Sequence, residues 1–132
     1  MTITGICKSI ISVVGGFISY YLGGFDLLLR TLLSLTILDF VTANITAMFN
    51  GSYSSLSSFR GTVKKLYMYL TIVLAVILQN FIGDSVPIRE TVIVFYIVSE
   101  GISILENIGV VIEYPPKLKQ IFEKLKDDEN DG

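Results

Sequence analysis

One apolar stretch near the C-terminal end, Thr91–Ile112, constrains the possible folds more than any other segment of this sequence. Its 22 residues exceed the roughly 20 that an α-helix needs to cross a bilayer. Glu100 lies near the centre of this stretch, where a carboxylate costs about 2.5 to 3.5 kcal/mol on membrane-insertion scales. Such residues face a bundle interior or a water-filled path. The stretch therefore predicts a transmembrane helix whose polar side is turned away from lipid.

Six polar side chains of this stretch share one side of the predicted helix. At about 100° per residue they fall within an arc of roughly 120°. They are Tyr96, Ser99, Glu100, Ser103, Glu106 and Asn107. A polar stripe of this kind indicates either the lumen of a pore or an interface between subunits. The alternative is a polar cluster whose hydrogen bonds are satisfied inside one monomer.

The composition supports one membrane domain. The 132 residues are 52% hydrophobic, and their mean hydropathy of +0.66 exceeds what a soluble domain tolerates. Cys7 is the only cysteine and there is no histidine, which excludes an intrachain disulfide and argues against zinc, haem or any other cofactor. The sequence contains no nucleophile elbow and no glycine-rich phosphate loop, so no enzymatic activity is expected.

Four segments are long and apolar enough to be transmembrane helices: residues 9–25, 27–48, 66–83 and 91–112. They predict an all-α, integral membrane helical bundle with four transmembrane helices. If residues 9–25 lie in the membrane interface instead, three spans remain. The segment Asn50–Lys65 is rich in serine and glycine, and it is predicted to be a connector because it is too polar to span.

The second span also has a polar side. Asp39 lies near its middle, and Thr42 and Thr46 fall within about 140° of the same face. Arg30 lies nine residues before Asp39, on the opposite side of the helix, so the two do not pair within it. Asp39 therefore needs a partner from another helix, water or a proton. Either it faces a pore, or it makes a buried hydrogen bond that fixes helix packing.

Small residues recur every four positions in the first span, at Gly15, Ser19 and Gly23. This spacing lets two helix backbones approach closely in lipid. It indicates a helix-packing surface, which is either an oligomerisation interface or a contact within the monomer.

The lysines and arginines lie mostly on one side of the predicted membrane. With four spans, eight fall on one side and only Arg30 and Arg89 on the other, so both termini are expected in the cytoplasm. The eight are Lys8, Arg60, Lys64, Lys65, Lys117, Lys119, Lys124 and Lys126. Five of them are interpreted as topology signals that contact anionic lipids: Arg60, Lys64, Lys65, Lys117 and Lys119. For Lys64 and Lys65, regulation by a partner is the alternative.

The C-terminal segment, residues 115–132, is predicted to be separate from the transmembrane domain, residues 1–114. Pro115 and Pro116 prevent the preceding helix from continuing. Apolar residues then recur at helical spacing across Lys117–Lys126, which predicts a short cytoplasmic amphipathic helix. It is expected to anchor at the membrane interface, with a pore element as the alternative. The acidic end, Asp127–Gly132, lacks an apolar anchor and is predicted to be disordered.

The order of these pieces resembles the toxin-secretion and phage-lysis holin family of Gram-positive bacteria and their phages. The resemblance covers roughly residues 23–126. It begins with the turn, leucine-rich helix and Asp-x-x-Thr of Gly23–Ala43 and continues through the serine-rich, basic segment Ser54–Leu66. Its most specific part is SEGISILENIG, Ser99–Gly109, followed by PPKLKQIFEKLK, Pro115–Lys126. Ala43 departs from the family's usual glycine.

The resemblance implies a multi-pass protein of the bacterial cytoplasmic membrane that oligomerises and opens a path for an endolysin or a large toxin. Its partners would be further copies of itself, membrane lipids and the released cargo, with no nucleic acid. The residues themselves leave two other classes open. One is a small ion channel or transporter that uses Asp39 and Glu100 as coordinating or proton-relay carboxylates. The other is a membrane adaptor that conducts nothing.

Overall fold

The computed structural model describes residues 2–113 and 115–131, and all regular structure in these residues is α-helical. The five helices are α1 (Ile3–Tyr21), α2 (Leu27–Phe49), α3 (Ser55–Ile82), α4 (Ile88–Val111) and α5 (Pro116–Asp131). Helices α1 to α4 are each long and apolar enough to cross a membrane. The predicted all-α bundle with four spans and a short C-terminal helix is confirmed.

The break between the first two helices follows directly from its residues. Gly23 and Gly24 have φ angles of +85° and +104°, a backbone region that glycine adopts without steric strain. Asp26 then caps α2, and its carboxylate accepts a hydrogen bond of 3.0 Å from the Leu29 N–H. A chain reversal and a capped helix start are thus encoded within four residues.

Helix α3 begins earlier than the sequence indicates. Ser54 caps it by accepting a hydrogen bond of 3.0 Å from the Ser57 N–H, so the connector predicted over Asn50–Lys65 is wrong beyond Ser54. The 28 residues of α3 extend about 42 Å at 1.5 Å per residue, more than the ~30 Å hydrocarbon core. Lys65 therefore lies within the helix, where its side chain can reach the interior of the bundle.

Helix α4 is the central element of the bundle. It packs chiefly against α2 and also against α3 and α5, whereas α2 and α3 touch each other sparsely. The apolar core lies in the half of the bundle nearest the α1–α2 turn, and Leu32, Ile72 and Ile93 are fully buried there. The buried members of this core are Leu22, Leu29, Leu32, Met68, Ile72, Val76 and Ile93.

Helix α1 stands apart from the other helices and buries no residue of its own. An open apolar groove of about 690 Å³ lies between its Gly15–Ser19 face and helices α2 and α3. A Cβ atom added at Gly15 would meet no atom within 4 Å, so close packing at Gly15 within the monomer is not what this structure shows. Gly23 lies beyond the end of α1 and does not extend the row of small residues along a helix.

Helix α5 follows Pro115 and packs against α4. An exposed ion pair between Lys126 and Glu106 also connects the two helices, although such pairs contribute little to stability. This contact raises the pKa of the Lys126 ammonium group, because the Glu106 carboxylate favours the charged form. The helix continues to Asp131, so the disorder predicted for the acidic end is wrong as far as that residue, and Gly132 lies outside the described residues.

Candidate functional site: a buried charged network

Three charged side chains from three different helices meet inside the bundle. The Lys65 Nζ of α3 lies 2.6 Å from Asp39 Oδ2 of α2 and 2.8 Å from Glu100 Oε2 of α4. The exposed fractions of these side chains are 18%, 7% and 10% for Lys65, Asp39 and Glu100. We call these three residues the charged triad. One ammonium group faces two carboxylates, so the triad carries a formal charge of −1 when all three groups are ionised.

The triad lies near the middle of the spans. Asp39 and Glu100 are each twelve residues from the first residue of their helix, which is about 18 Å at 1.5 Å per residue. The partner that Asp39 was expected to need is therefore Lys65, supplied by another helix. The lipid contact predicted for Lys65 does not fit this geometry, because its ammonium group is bonded to carboxylates inside the bundle.

A second layer of polar groups holds the Asp39 carboxylate from the other side. Asp39 Oδ1 accepts hydrogen bonds of 2.9 Å from both Ser103 Oγ and Asn107 Nδ2. The side-chain amide of Asn107 also donates to Thr42 Oγ1 at 3.0 Å, and Thr46 Oγ1 donates to the main-chain carbonyl of Asn107 at 2.9 Å. Among the described residues, every buried polar side-chain atom has a hydrogen-bond partner. The network is thus satisfied within a single chain.

Six of the nine residues predicted at a pore or oligomer interface meet in this network. They are Asp39, Thr42, Thr46, Glu100, Ser103 and Asn107. This arrangement is a polar cluster inside one monomer, which the sequence analysis gives as the alternative to a pore lumen or a subunit interface. A role for these side chains at a pore or between copies stays a prediction, since one chain contains neither.

The other three predicted residues lie elsewhere. Tyr96 packs against the apolar core, and Ser99 is half-buried on α4. Glu106 is exposed and pairs with Lys126. The four remaining basic residues predicted at the lipid surface are all exposed on the described chain, and their contact with lipid stays a prediction. They are Arg60, Lys64, Lys117 and Lys119.

Arg89 forms a second charged site that the sequence did not reveal. Its guanidinium group donates to the Leu22 carbonyl at 2.7 Å, to Asp26 Oδ2 at 2.8 Å and to the Gly24 carbonyl at 3.0 Å. The side chain is buried and fastens the α1–α2 turn to the start of α4. The same guanidinium group holds the pKa of Asp26 below its usual value.

Gln79 plays a comparable part in the turn between α3 and α4. Its side-chain oxygen accepts a hydrogen bond of 2.7 Å from the Ile88 N–H, and its amide donates to the carbonyls of Gly83 and Val86. The charged triad and these two turn contacts together fix the relative positions of α2, α3 and α4.

The chemistry of the triad is electrostatic. An ion pair removed from water is favourable only when its geometry and remaining hydrogen bonds are good, and loss of one partner leaves an uncompensated charge. The triad can therefore hold three helices together while the Lys65 ammonium group bonds both carboxylates, and it favours their separation once that ammonium group is lost. No cluster of three or more histidine, cysteine or acidic side chains suited to a metal ion occurs in the described part of the chain.

Four helices suited to cross a lipid bilayer, three of them joined by an ion network at mid-depth, define a multi-pass membrane protein. The chain belongs to the bacteriophage holin family, whose sequence profile matches residues 16–127. The resemblance noted from the sequence is thereby confirmed.

One individual relative carries a name that agrees with this assignment. The chain is 32% identical to an uncharacterised protein of Halalkalibacterium halodurans over 90% of this chain and 93% of that protein. It is 33% identical to an uncharacterised 14.9 kDa protein of Clostridium perfringens, over 85% and 86% of the two chains. A protein of Bacillus phage phi105 named "Probable holin" is 30% identical over 69% of this chain and 67% of that protein. No solved structure matches the chain.

Proposed function

We propose that this protein acts as a holin that accumulates in the bacterial cytoplasmic membrane, self-associates and opens a lesion large enough to release a folded endolysin or a large toxin. The observation that carries the proposal is the family match along residues 16–127, which includes the whole charged network. The phage relative named as a holin supports the same role.

The size of the cargo requires more than one copy of the chain. A folded enzyme of 100 to 150 residues has a radius of gyration of about 13 to 15 Å and hence a width of at least about 30 Å. Helices are about 10 Å across, so a ring that encloses this width needs about 12 of them. One chain supplies four candidate spans, and we therefore propose a homo-oligomer in which copies together surround the lesion.

The charges favour an orientation with both termini in the cytoplasm. Lys65 is engaged inside the bundle, which leaves seven of the eight basic residues on the proposed cytoplasmic side against Arg30 and Arg89 on the other. The bias towards one side remains strong without Lys65. An even number of spans then places Ile3 and α5 on the same side of the membrane.

Co-expression with a cytoplasmic murein hydrolase tests the proposal. Cells that make both proteins are expected to lyse abruptly and to release the hydrolase. Cells that make only the hydrolase are expected to retain it, and cells that make only the membrane protein are not expected to lyse abruptly. The culture density and the hydrolase activity in the medium are the two measurements. Continued growth of cells that contain active hydrolase together with the folded, membrane-inserted protein would contradict the proposal.

Glu100→Leu connects the proposed activity to the charged triad. The substitution leaves Lys65 and Asp39 as a one-to-one ion pair, so the variant is expected to insert and accumulate normally while lysis is delayed or lost. Glu106→Leu is the matched control, because it removes the same charge from an exposed position of the same helix. Equal lysis times for native protein and Glu100→Leu would exclude the triad from the timing of lysis.

The buried triad also favours one other function, an ion or proton pathway, since intramembrane ionisable residues mark such pathways in other membrane proteins. That function predicts ion-selective currents through reconstituted membranes with no passage of folded protein. The two proposals therefore differ in the largest molecule that crosses.

A further inference from the structure

The two halves of the bundle differ in how tightly they pack. On the side of the α1–α2 turn, the apolar core fills the space between α2, α3 and α4, and Leu32, Ile72 and Ile93 are fully buried. Every core member from α2 and α4 precedes its triad carboxylate in sequence, and every core member from α3 follows Lys65. The apolar core therefore lies between the triad and that side of the membrane.

Towards the α2–α3 loop, the space between α2 and α3 is not filled by the core cluster. Ile102 and Ile104 are buried there, but neither belongs to the core cluster. A cleft of about 90 Å³ lies between α2 and the N-terminal part of α3, and Lys65 is one of the residues that line it. Its lining contains six polar side chains: Asn44, Tyr53, Ser54, Ser57, Ser58 and Lys65. Lys65 is also the most exposed member of the triad.

The helix geometry explains why the cleft exists. Helices α2 and α3 touch each other sparsely, while α4 packs along α2. Gly61 lines the cleft, and a Cβ atom added there would meet no atom within 4 Å, so the space beside it is open. A volume of 90 Å³ exceeds the ~30 Å³ that one water molecule occupies.

We propose that this cleft is a hydrated vestibule that connects the charged triad to water on only one side of the membrane, the side of the α2–α3 loop. Water that enters along the serine-rich face of α3 reaches the Lys65 ammonium group, and the apolar core blocks its passage to the other side. The inference depends on membrane insertion and not on formation of a lesion.

Cysteine accessibility tests the vestibule, because only a thiolate in contact with water reacts readily with a charged thiol reagent. Cys7→Ser provides the cysteine-free background. Ala43→Cys places a thiol in the cleft, and Ile45→Cys places one on an exposed face of α2 that does not line it. Ile45 is two residues, or about 3 Å, nearer the loop, so depth alone would make it the faster site.

The probe is trimethylammonioethyl methanethiosulfonate, which does not cross membranes, applied to sealed vesicles that retain a trapped dye. Ala43→Cys is expected to react at least about tenfold faster than Ile45→Cys, and only when the reagent is on the side at which a loop cysteine, Ser52→Cys, reacts. Gly61→Cys provides a second vestibule position with open space for the new side chain.

Two results would overturn the inference. If Ala43→Cys and Gly61→Cys react no faster than Ile45→Cys, the cleft is filled by lipid or closed. If they react equally from both sides of sealed vesicles, the apolar core does not separate the triad from the opposite side. Neither result depends on whether the protein releases a murein hydrolase, so failure of this inference and failure of the holin proposal are distinguishable.

Discussion

Lys65 carries the only positive charge in the triad, so its two carboxylate partners depend on it. Asp39 and Glu100 both lie within 3 Å of the same ammonium group, and each is largely shielded from solvent. Removal of one carboxylate leaves a matched pair, whereas removal of the ammonium group leaves two negative charges facing each other. The three positions are therefore unequal in their effect on stability.

We predict that Lys65→Met lowers the free energy of unfolding by about 3 kcal/mol, the lower end of the range for a broken buried ion pair. Lys64→Met, at the exposed neighbouring position, is expected to change it by less than about 0.5 kcal/mol. Denaturant titration in detergent micelles measures both variants. Similar losses for the two would show that the ion pairs of Lys65 do not stabilise the fold.

Gly23 and Gly24 allow a comparison of two alanine substitutions, of which only the one at Gly23 places a Cβ atom against Arg89. Both glycines have positive φ, so alanine strains either position by about 1 kcal/mol. A Cβ atom at Gly23 would also lie 2.4 Å from Arg89 Nε, while one at Gly24 meets nothing within 4 Å. We predict that Gly23→Ala lowers the melting temperature clearly more than Gly24→Ala, because only Gly23→Ala displaces Arg89. Equal melting temperatures would argue against the Arg89 contacts.

Asp26 gives the Arg89 site a pH dependence of known sign. Its pKa is lowered in the folded protein, so the stability it contributes is complete above the unfolded-state value of about 3.9 and is lost as the pH falls through the folded value. Asp26→Asn keeps a residue that caps helices well. Between pH 5 and about pH 2, the native protein is expected to lose more unfolding free energy than this variant.

The other carboxyl groups are present in both proteins and cancel in this comparison. Asp26 is about half exposed, so solvent screens the interaction and the difference is expected to be small. Parallel pH profiles for the native protein and Asp26→Asn would show that Arg89 does not stabilise the charged form of Asp26.

At the scale of helices, hydrophobic periodicity was enough to predict α2 and α4. Their bounds lie within three residues of the predicted ones, because both have a long apolar run and clear flanking turns. The face that groups Asp39 with Thr42 and Thr46 was also predictable, since helical phase depends only on spacing. These are the parts of the fold that one helix determines by itself.

The start of α3 and the triad were not predictable in the same way. Serine and glycine lower helix propensity, so Asn50–Lys65 had the composition of a connector, although Ser54 is a good N-cap. A connector that ends at Lys65 places this residue at the membrane surface. One sequence feature does indicate the ion pairs of Lys65: two mid-span carboxylates lack partners on their own helices, and a lysine lies immediately before an apolar run. Which helices meet depends on tertiary packing, and Arg89 was missed for the same reason.

Helix α1 is the element most available to a second copy of the chain. It buries no residue in the described structure, and the surroundings of Gly15 are open. We predict that Gly15→Leu does not lower the unfolding free energy of the monomer, because leucine has the higher helix propensity, but reduces self-association, because a larger side chain keeps neighbouring backbones apart. Val13→Leu, at an exposed position of the same helix, is the control.

Energy transfer between labelled copies in vesicles measures this association. If Gly15→Leu and Val13→Leu associate equally well, the small-residue face of α1 is not an interface. In that case we expect lipid acyl chains to fill the groove beside α1.

At the scale of the whole molecule, the chain presents an apolar surface to lipid and keeps its mid-depth charges satisfied inside. A single copy in this state has no path for a protein. The proposed lesion therefore requires many copies of the chain. It also requires a rearrangement in which the polar faces of α2 and α4 turn towards neighbouring copies or towards water. In this proposal the same network stabilises the closed state and supplies the polar surface of the open one.

Size-resolved release from vesicles tests this account most directly. Vesicles that contain the full chain are loaded with a small dye and an active, folded murein hydrolase, and the amount of protein per vesicle is raised stepwise. We predict that dye and hydrolase leave together above a threshold density and that the released hydrolase keeps its activity. Release of dye or ions at every density while the hydrolase stays inside would contradict the account and favour a small channel.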